Sequence, residues 1–425
     1  MPKTPSPETE PEFRLRMAPD ITALPAASWD LCASISNNLD QISKVGHSKP
    51  HALLEAQSGP HPFPDNPFVS HAFLSALEAS GCVGAKAGWL PRHLVLEGQS
   101  GQMLGTVPCY LKSHSRGEYV FDQGWAEAYE RAGGDYYPKL QVSVPFTPAT
   151  GPRLLVHPEA GGPNIIRRTL ADGLIALCGE HHASGVHATF LRQDDREALA
   201  ARGFLIRTDQ QFHWRNPGYA SFDDFLNALA SRKRKFIRRE RREALAPGIE
   251  IEWLSGPSLT EAAWDAFFAF YMETGSRKWG RPYLNRAFFS LIGEGMGERI
   301  LLVMAKRAGR YIAGAINFIG GDTLYGRHWG AIEHHPFLHF EICYYQAMDF
   351  AISKKLSYVE AGAQGEHKLA RGYAPVTTYS AHYLADPGLR RAVADYLMRE
   401  RAYVDAANRE LVAFMPFRKT ADAED

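Results

Sequence analysis

Two stretches of this sequence repeat one pattern, and the repeat restricts the possible folds more than any other feature. Residues 92–121 run RHLVLE, a GQSG turn, QMLGTVPCYLK and EYVF. Residues 299–330 run RILLVMA, a RAGR turn, YIAGAINFIG and TLYGRHWG. Each reads as a strand, a glycine turn, a longer strand with an internal glycine, and a third strand. A helical pattern and a further strand follow in both halves. The expectation is an α/β chain of two similar domains, each with a mixed α+β sheet built on an antiparallel meander. The first domain spans 13–217 and the second 218–425. A Pro/Glu/Thr tail at 1–12 is expected to be disordered. The polar stretch 36–65, rich in His, Pro and Ser, reads as a loop insertion in the first domain.

Length agrees with the repeat, since 425 residues suit two ordinary domains better than one core. The formal net charge is zero, so any attraction to phosphate must be local. The five cysteines are scattered without a CxxC pair, which suits reduced thiols. No apolar run is long enough to span a bilayer. The N-terminus carries prolines and acids where a signal peptide needs a basic start and an apolar core. A cytoplasmic location is expected.

The candidate site centres on LSYVEAGAQGEHKLARGYAPV, residues 356–376. An apolar strand ends at Glu360, and glycines then let backbone approach a ligand closely. Gln364, His367, Lys368, Arg371 and Tyr373 follow within a few residues, a density of polar groups that a plain connection does not need. Glu360 or His367 would act as a base, and Lys368 and Arg371 would offset charge on a reacting carbonyl. A glycine-rich connection carrying solvated charges is the plainer alternative.

SRKRKFIRRERREA lies in a helical pattern opened by Ser221 and stopped by Pro247-Gly248. Its cations cannot share one face, because helical positions step about 100° apart. Arg238, Arg239 and Arg242 are expected to hold the phosphate of a substrate in the same cleft as the 360–373 loop. The alternative is a solvated helix balanced by Glu240 and Glu243. On the strand at 323–331, alternation puts Arg327 and Trp329 on one face, as candidate ligand contacts. Glu341 either aims a carboxylate at the site or complements a helix dipole. The histidines at 334, 335 and 339 fit no standard zinc spacing, so no metal is expected.

Three antiparallel strands, a helix and a further strand follow the core order of GNAT-type acyltransferase sheets. SRKRKFIRRERREA, SRKWGRPYL, LYGRHWGA, FLHFEICYYQAMDFAI and VEAGAQGEHKLARGYAPV together resemble the FemAB-like predicted N-acyltransferases, labelled peptidoglycan biosynthesis/recognition proteins. NPFVSHAFLSALE, GEYVFDQGWA and PFTPATGPRLL extend the resemblance into the first half, so that it covers about residues 66–417. It implies tandem GNAT-like domains and acyl transfer to an amine, possible acceptors including a cell-wall precursor. One departure stands out: neither half carries the Q/R-x-x-G-x-G/A loop that holds the pyrophosphate of acyl-CoA in typical enzymes of this fold. The FemAB-type relatives take aminoacyl-tRNA as donor. Acyl-CoA and aminoacyl-tRNA thus both stand as donor substrates, and no tightly bound cofactor is expected. The partner is expected to be a phosphate-bearing substrate, nucleotide-linked, CoA or tRNA. The alternative function is a non-catalytic module that binds a peptidoglycan precursor or RNA on a degenerate transferase fold.

Overall fold

The computed structural model describes residues 13–34, 65–279, 282–362 and 365–418. The expected tail at 1–12 and nearly all of the expected insertion at 36–65 lie outside them, as does Gln364. In the first half the strands are β1 (Arg14–Ala18), β2 (Trp89–Pro91), β3 (His93–Glu97), β4 (Met103–Val107), β5 (Cys109–Lys112), β6 (Lys139–Val142), β7 (Leu155–Val156), β8 (Gly185–Thr189) and β9 (Leu205–Arg215). In the second half they are β10 (Ile249–Leu254), β11 (Ile300–Arg307), β12 (Arg310–Ile319), β13 (Thr323–Ala331), β14 (Tyr358–Glu360) and β15 (Ala374–Leu384). They form a four-stranded sheet, β1-β3-β4-β7, and an eleven-stranded sheet, β10-β11-β12-β13-β14-β9-β15-β8-β6-β5-β2.

In the second half the meander forms as read: β11, β12 and β13 pair antiparallel in sequence order. In the first half it divides. β3 and β4 pair antiparallel in the small sheet. Pro108 then has no N–H to extend that ladder, and β5 crosses to the large sheet to pair with β6. EYVF at 118–121 forms no strand. Tyr119 takes a left-handed backbone with φ 60°, and the Glu118 carboxylate is buried 3.1 Å from the Lys112 ammonium. The helix opened by Ser221 is also two helices, Phe222–Ala228 and Ser231–Leu245. The break falls at Leu229, which bridges to Phe417.

What repeats is the strand order around a parallel pair. β5 and β6 are antiparallel and β6 and β8 parallel; β12 and β13 are antiparallel and β13 and β14 parallel. The next neighbour in each case comes from the other half. β9 pairs antiparallel with β14, and β15 pairs antiparallel with β8 as well as with β9. The sheet therefore runs without interruption across the expected boundary at 217/218.

The cores mix the halves as well. Phe68 and Phe73 of the first half touch Phe318 of the second at 5.0 and 5.6 Å between centroids. Burying a phenylalanine contributes about 1.5–3 kcal/mol. On the opposite face of β11–β14, Val303, Leu324 and Val359 pack on Met348 and Ala351 of the helix Gln346–Ser353. No helix among the described residues is long and apolar enough to cross a membrane.

Candidate active site

The parallel register of β13 and β14 is short. Thr323, Leu324 and Tyr325 face Tyr358, Val359 and Glu360. Beyond these pairs β13 continues to Ala331, whereas β14 ends at Glu360. The strands thus part at Gly326 and Ala361. A cleft of about 170 Å³ opens there, lined by Gly326, Arg327, Trp329, Cys343, Tyr344 and Ala361 among others. Its far wall is a π-helical turn, Glu341–Tyr345, a form that recurs at functional sites. After Glu360 the chain doubles back through Gly362, at φ +77°, into the turn Glu366–Arg371. Gly372, at φ +86°, ends that turn where a Cβ would lie 3.0 Å from the Phe225 ring.

Glu360 is 5 % exposed. One carboxylate oxygen lies 3.9 Å from His213 Nδ1 on β9. Burial pushes the Glu360 carboxyl up to about 8, while the Arg327 guanidinium and, more weakly, Arg153 oppose the rise and Asp322 adds to it. At neutral pH it therefore holds a proton most of the time. Arg327 donates from Nη2 to the Phe146 carbonyl at 2.7 Å, and burial pulls its pKa below the ordinary value. Lys368 is 1 % exposed and donates to the Gly362 carbonyl at 2.9 Å. Burial brings its ammonium down to about 8, with Arg327 adding to the fall and Cys343 opposing it. Three buried polar atoms here have no hydrogen-bond partner among the described residues: Arg327 Nε, Trp329 Nε1 and Tyr373 Oη. Buried polar groups are usually partnered by protein or by ordered water, so these atoms mark places where a water or a ligand atom can bond.

Other candidates are placed elsewhere. Arg371 is 4 % exposed and bonds Glu240 at 2.6 Å, the Tyr345 hydroxyl at 3.0 Å and the His367 carbonyl at 2.8 Å. It ties the loop to the helix Ser231–Leu245. Glu341 is fully buried and accepts from Arg241 at 2.8 Å and Gln346 at 2.7 Å, behind the cleft wall. His367 is exposed, with Nε2 2.9 Å from the Tyr344 hydroxyl. Arg238 and Arg239 lie on the exposed face of their helix, paired with Asp223 at 2.8 Å and Glu243 at 3.6 Å. Arg242 is also exposed. Of the sequence candidates, Arg327 and Trp329 are among the residues that line the cleft; Glu360, His367, Lys368, Arg371, Tyr373, Glu341, Arg238, Arg239 and Arg242 are not. Among the described residues no group of His, Cys, Asp or Glu is placed to hold a metal ion.

Sequence reasoning missed Cys343 and Tyr344 of the cleft wall, because a π turn leaves no mark in the apolar spacing. It used PFTPATGPRLL as part of the family resemblance and gave its Phe146 no role. That loop carries Phe146, whose backbone is left-handed at φ 58°. Such strain in a non-glycine residue persists only where surroundings hold it. Here Phe146 stacks on Tyr283 at 4.7 Å between centroids and presents its carbonyl to Arg327.

A family model described as peptidoglycan biosynthesis/recognition, FemAB-like, matches residues 20–419. Among solved structures, the crystal structure of FemX aligns over 78% of this chain and 96% of that chain, at 13% identity with a TM-score of 0.50. A conserved protein of unknown function from Bacteroides thetaiotaomicron VPI-5482 aligns over 88% and 100%, at 11% identity and 0.48. A tandem GNAT protein from the clavulanic acid biosynthesis pathway aligns over 88% and 98%, at 14% identity and 0.42. No curated protein matches the chain. The fold is a mixed α/β one of tandem GNAT-like halves.

Proposed function

The chain belongs to the FemAB-like family of peptidoglycan biosynthesis/recognition proteins, and from that premise we propose that it is an N-acyltransferase working in the wedge between β13 and β14. The observation that carries this reading is a parallel strand pair that parts beside a cleft lined by Arg327 and Ala361, with the Glu360 carboxylate buried at the end of β14. In the proposed reaction an acceptor amine attacks the carbonyl carbon of a thioester or ester donor, such as acyl-CoA or aminoacyl-tRNA. Glu360 takes the proton from the attacking nitrogen. The tetrahedral oxyanion lies toward the Arg327 guanidinium, with Lys368 behind it. The C–S or C–O bond then breaks, and the proton on Glu360 passes to the leaving group. A cell-wall amine is the acceptor class the family suggests.

The first half supports rather than repeats this chemistry. Where the matching strands β6 and β8 part, the loop 145–153 fills the space: Gly151 N–H donates to the Phe190 carbonyl at 3.1 Å, and Arg153 Nε to Thr189 at 3.0 Å. The same loop reaches the second-half site through the Phe146 carbonyl, which accepts from Arg327 at 2.7 Å.

Turnover with purified donors and amine acceptors tests the reading, and its pH dependence tests the base. Glu360 must be ionised to take a proton, so the rate is expected to climb as pH rises through about 8. At about pH 6 it should be about 100-fold below the plateau. A rate that stays flat across this interval excludes Glu360 as the base.

A second expectation concerns the basic helix. Arg232, Lys235 and Arg242 are exposed and form no ion pair among the described residues. Their triple replacement by Ala is expected to weaken binding of a phosphate-bearing donor at low salt, with a shallower salt dependence and an unchanged melting temperature. Equal affinity of variant and parent at every salt concentration returns these cations to the role of a solvated face.

A further inference from the structure

Glu360 stands in a row of side chains that crosses four strands. Cα pairing sets Tyr325 of β13 against Glu360 of β14, Glu360 against His213 of β9, and His213 against Ala374 of β15. Paired residues send their side chains to one face of a sheet, and so do residues two apart on a strand. Gln211 therefore shares the face of His213. The two are 2 % and 4 % exposed, and both come from the first half of the chain.

The contacts that join these side chains have one direction. Gln211 Nε2 donates to the Pro148 carbonyl at 2.8 Å. A carbonyl only accepts, so the amide of Gln211 has its nitrogen on that side and its oxygen on the other. That oxygen lies 3.1 Å from His213 Nε2. It too only accepts, so Nε2 carries a proton. The other ring nitrogen, Nδ1, lies 3.9 Å from Glu360 Oε1. Contacts between reacting groups are often this long before substrate arrives, and a small torsion or one water closes them. Pro148 also stands two residues from Phe146, whose carbonyl accepts from Arg327. In the same loop Ala149 accepts from Arg153 at 2.7 Å and Thr150 from Asn66 at 3.0 Å. One first-half loop thus holds the cation of the site through one carbonyl and reaches its carboxylate, through Gln211 and His213, from another.

We propose that His213 is the positioning residue of Glu360: it keeps its own proton on Nε2, accepts the hydrogen bond of the protonated carboxyl at Nδ1, and so fixes how that carboxyl is turned. The consequence for transfer rests on the transferase reading; the hydrogen bond does not. Arg327, Arg153 and Asp322 also act on Glu360. Tyr325 lies close as well, and burial keeps its phenol un-ionised well above the ordinary range.

Nitrogen-15 spectra of histidine-labelled protein test the pairing without substrate. The His213 signals are assigned by their loss in His213→Asn, or in His213→Gln should the first variant fold poorly. At pH 7 Nε2 is expected to be protonated and Nδ1 bare. The Nδ1 signal is expected to move as Glu360 ionises through about pH 8 and to stay still in Glu360→Gln. Lys368 ionises in the same interval and remains in that variant, so the comparison separates the two groups. A bare Nε2, a proton on both nitrogens at pH 7, an Nδ1 signal that stays still in the parent, or one that still moves in Glu360→Gln overturns the pairing. In turnover, His213→Leu is expected to lower the plateau rate by about tenfold to 100-fold. His213→Asn, which sets an acceptor oxygen near the place of Nδ1, is expected to restore most of it. A plateau rate in His213→Leu equal to the parent's overturns the positioning role. Spectra as expected in a protein that transfers from no donor support the hydrogen bond and remove the transferase reading.

Discussion

Glu360→Gln is expected to slow transfer by about 10²–10⁴-fold and, at the same time, to make the protein more stable above pH 4.5. The two effects share one cause. In the folded chain the carboxyl sits 5 % exposed, and its pKa is raised from 4.5 to about 8. The folded state thus holds the proton more tightly than the unfolded state does. That contribution to stability is complete below the unfolded pKa and is lost as pH rises from 4.5 toward 8. Glutamine keeps the shape and never ionises, so it escapes the loss. The gain at neutral pH should lie between about 1 and 3 kcal/mol, from about 1.4 kcal/mol per pKa unit. Thermal unfolding of parent and variant across pH checks this: the curves should meet in acid and separate above pH 4.5. Full activity in the variant would remove Glu360 as base and leave His367 and Lys368 to be tried in turn. If no donor and acceptor are turned over by the parent itself, the binding-module reading stands.

Lys139→Met is expected to destabilise the fold by about 3–5 kcal/mol while leaving the rate per folded molecule unchanged. Lys139 is 1 % exposed and reaches Asp122 at 2.5 Å, the Ser115 hydroxyl at 2.7 Å and Glu118 at 3.4 Å. Burial works against the charge on Asp122, yet Lys139, and His187 more weakly, hold its carboxyl well below the ordinary carboxylate range. Removing the ammonium leaves two buried carboxylates short of a partner. Because the folded Asp122 pKa is depressed, its contribution is present above the unfolded pKa of 3.8 and is lost as pH falls through the folded value. The parent should therefore resist acid better than the variant. β6 lies four strands along the sheet from β14, about 19 Å at ordinary strand spacing, so the rate should not follow. Urea unfolding measures the loss. A loss below about 1 kcal/mol would mean that Asp122 and Glu118 take up protons at little cost, and the cluster would have no large structural role.

The elements that could be read from sequence are those set by local pattern. The glycine turns and apolar alternation at 299–331 gave the meander, and the apolar run ending at Glu360 placed that carboxylate at a strand end. The same reasoning failed at EYVF, where β-prone residues are overruled by a buried ion pair with Lys112. It also misread the basic stretch. Glu240 and Arg371, 131 residues apart, and Arg241 and Glu341, 100 apart, find each other only after the sheet has formed. No spacing along the chain records such pairs. The sequence showed that these charges cannot share one face, but not that one set, through Glu240 and Arg241, anchors the site loop and the cleft wall while the other faces outward.

The exchange of β9 and β15 bears on how such a chain can change over generations. A chain of two separate domains is usually free to lose one of them, or to trade it with a relative. Here each half has given a strand to the other, down to the hydrogen bond between His187 of one and His382 of the other at 2.9 Å. A crossover between relatives that replaced one half would have to match the partner strand in register, in side-chain volume and in that histidine contact all at once. The two halves are therefore expected to be inherited as a single unit, because neither sheet half is complete without a strand of the other.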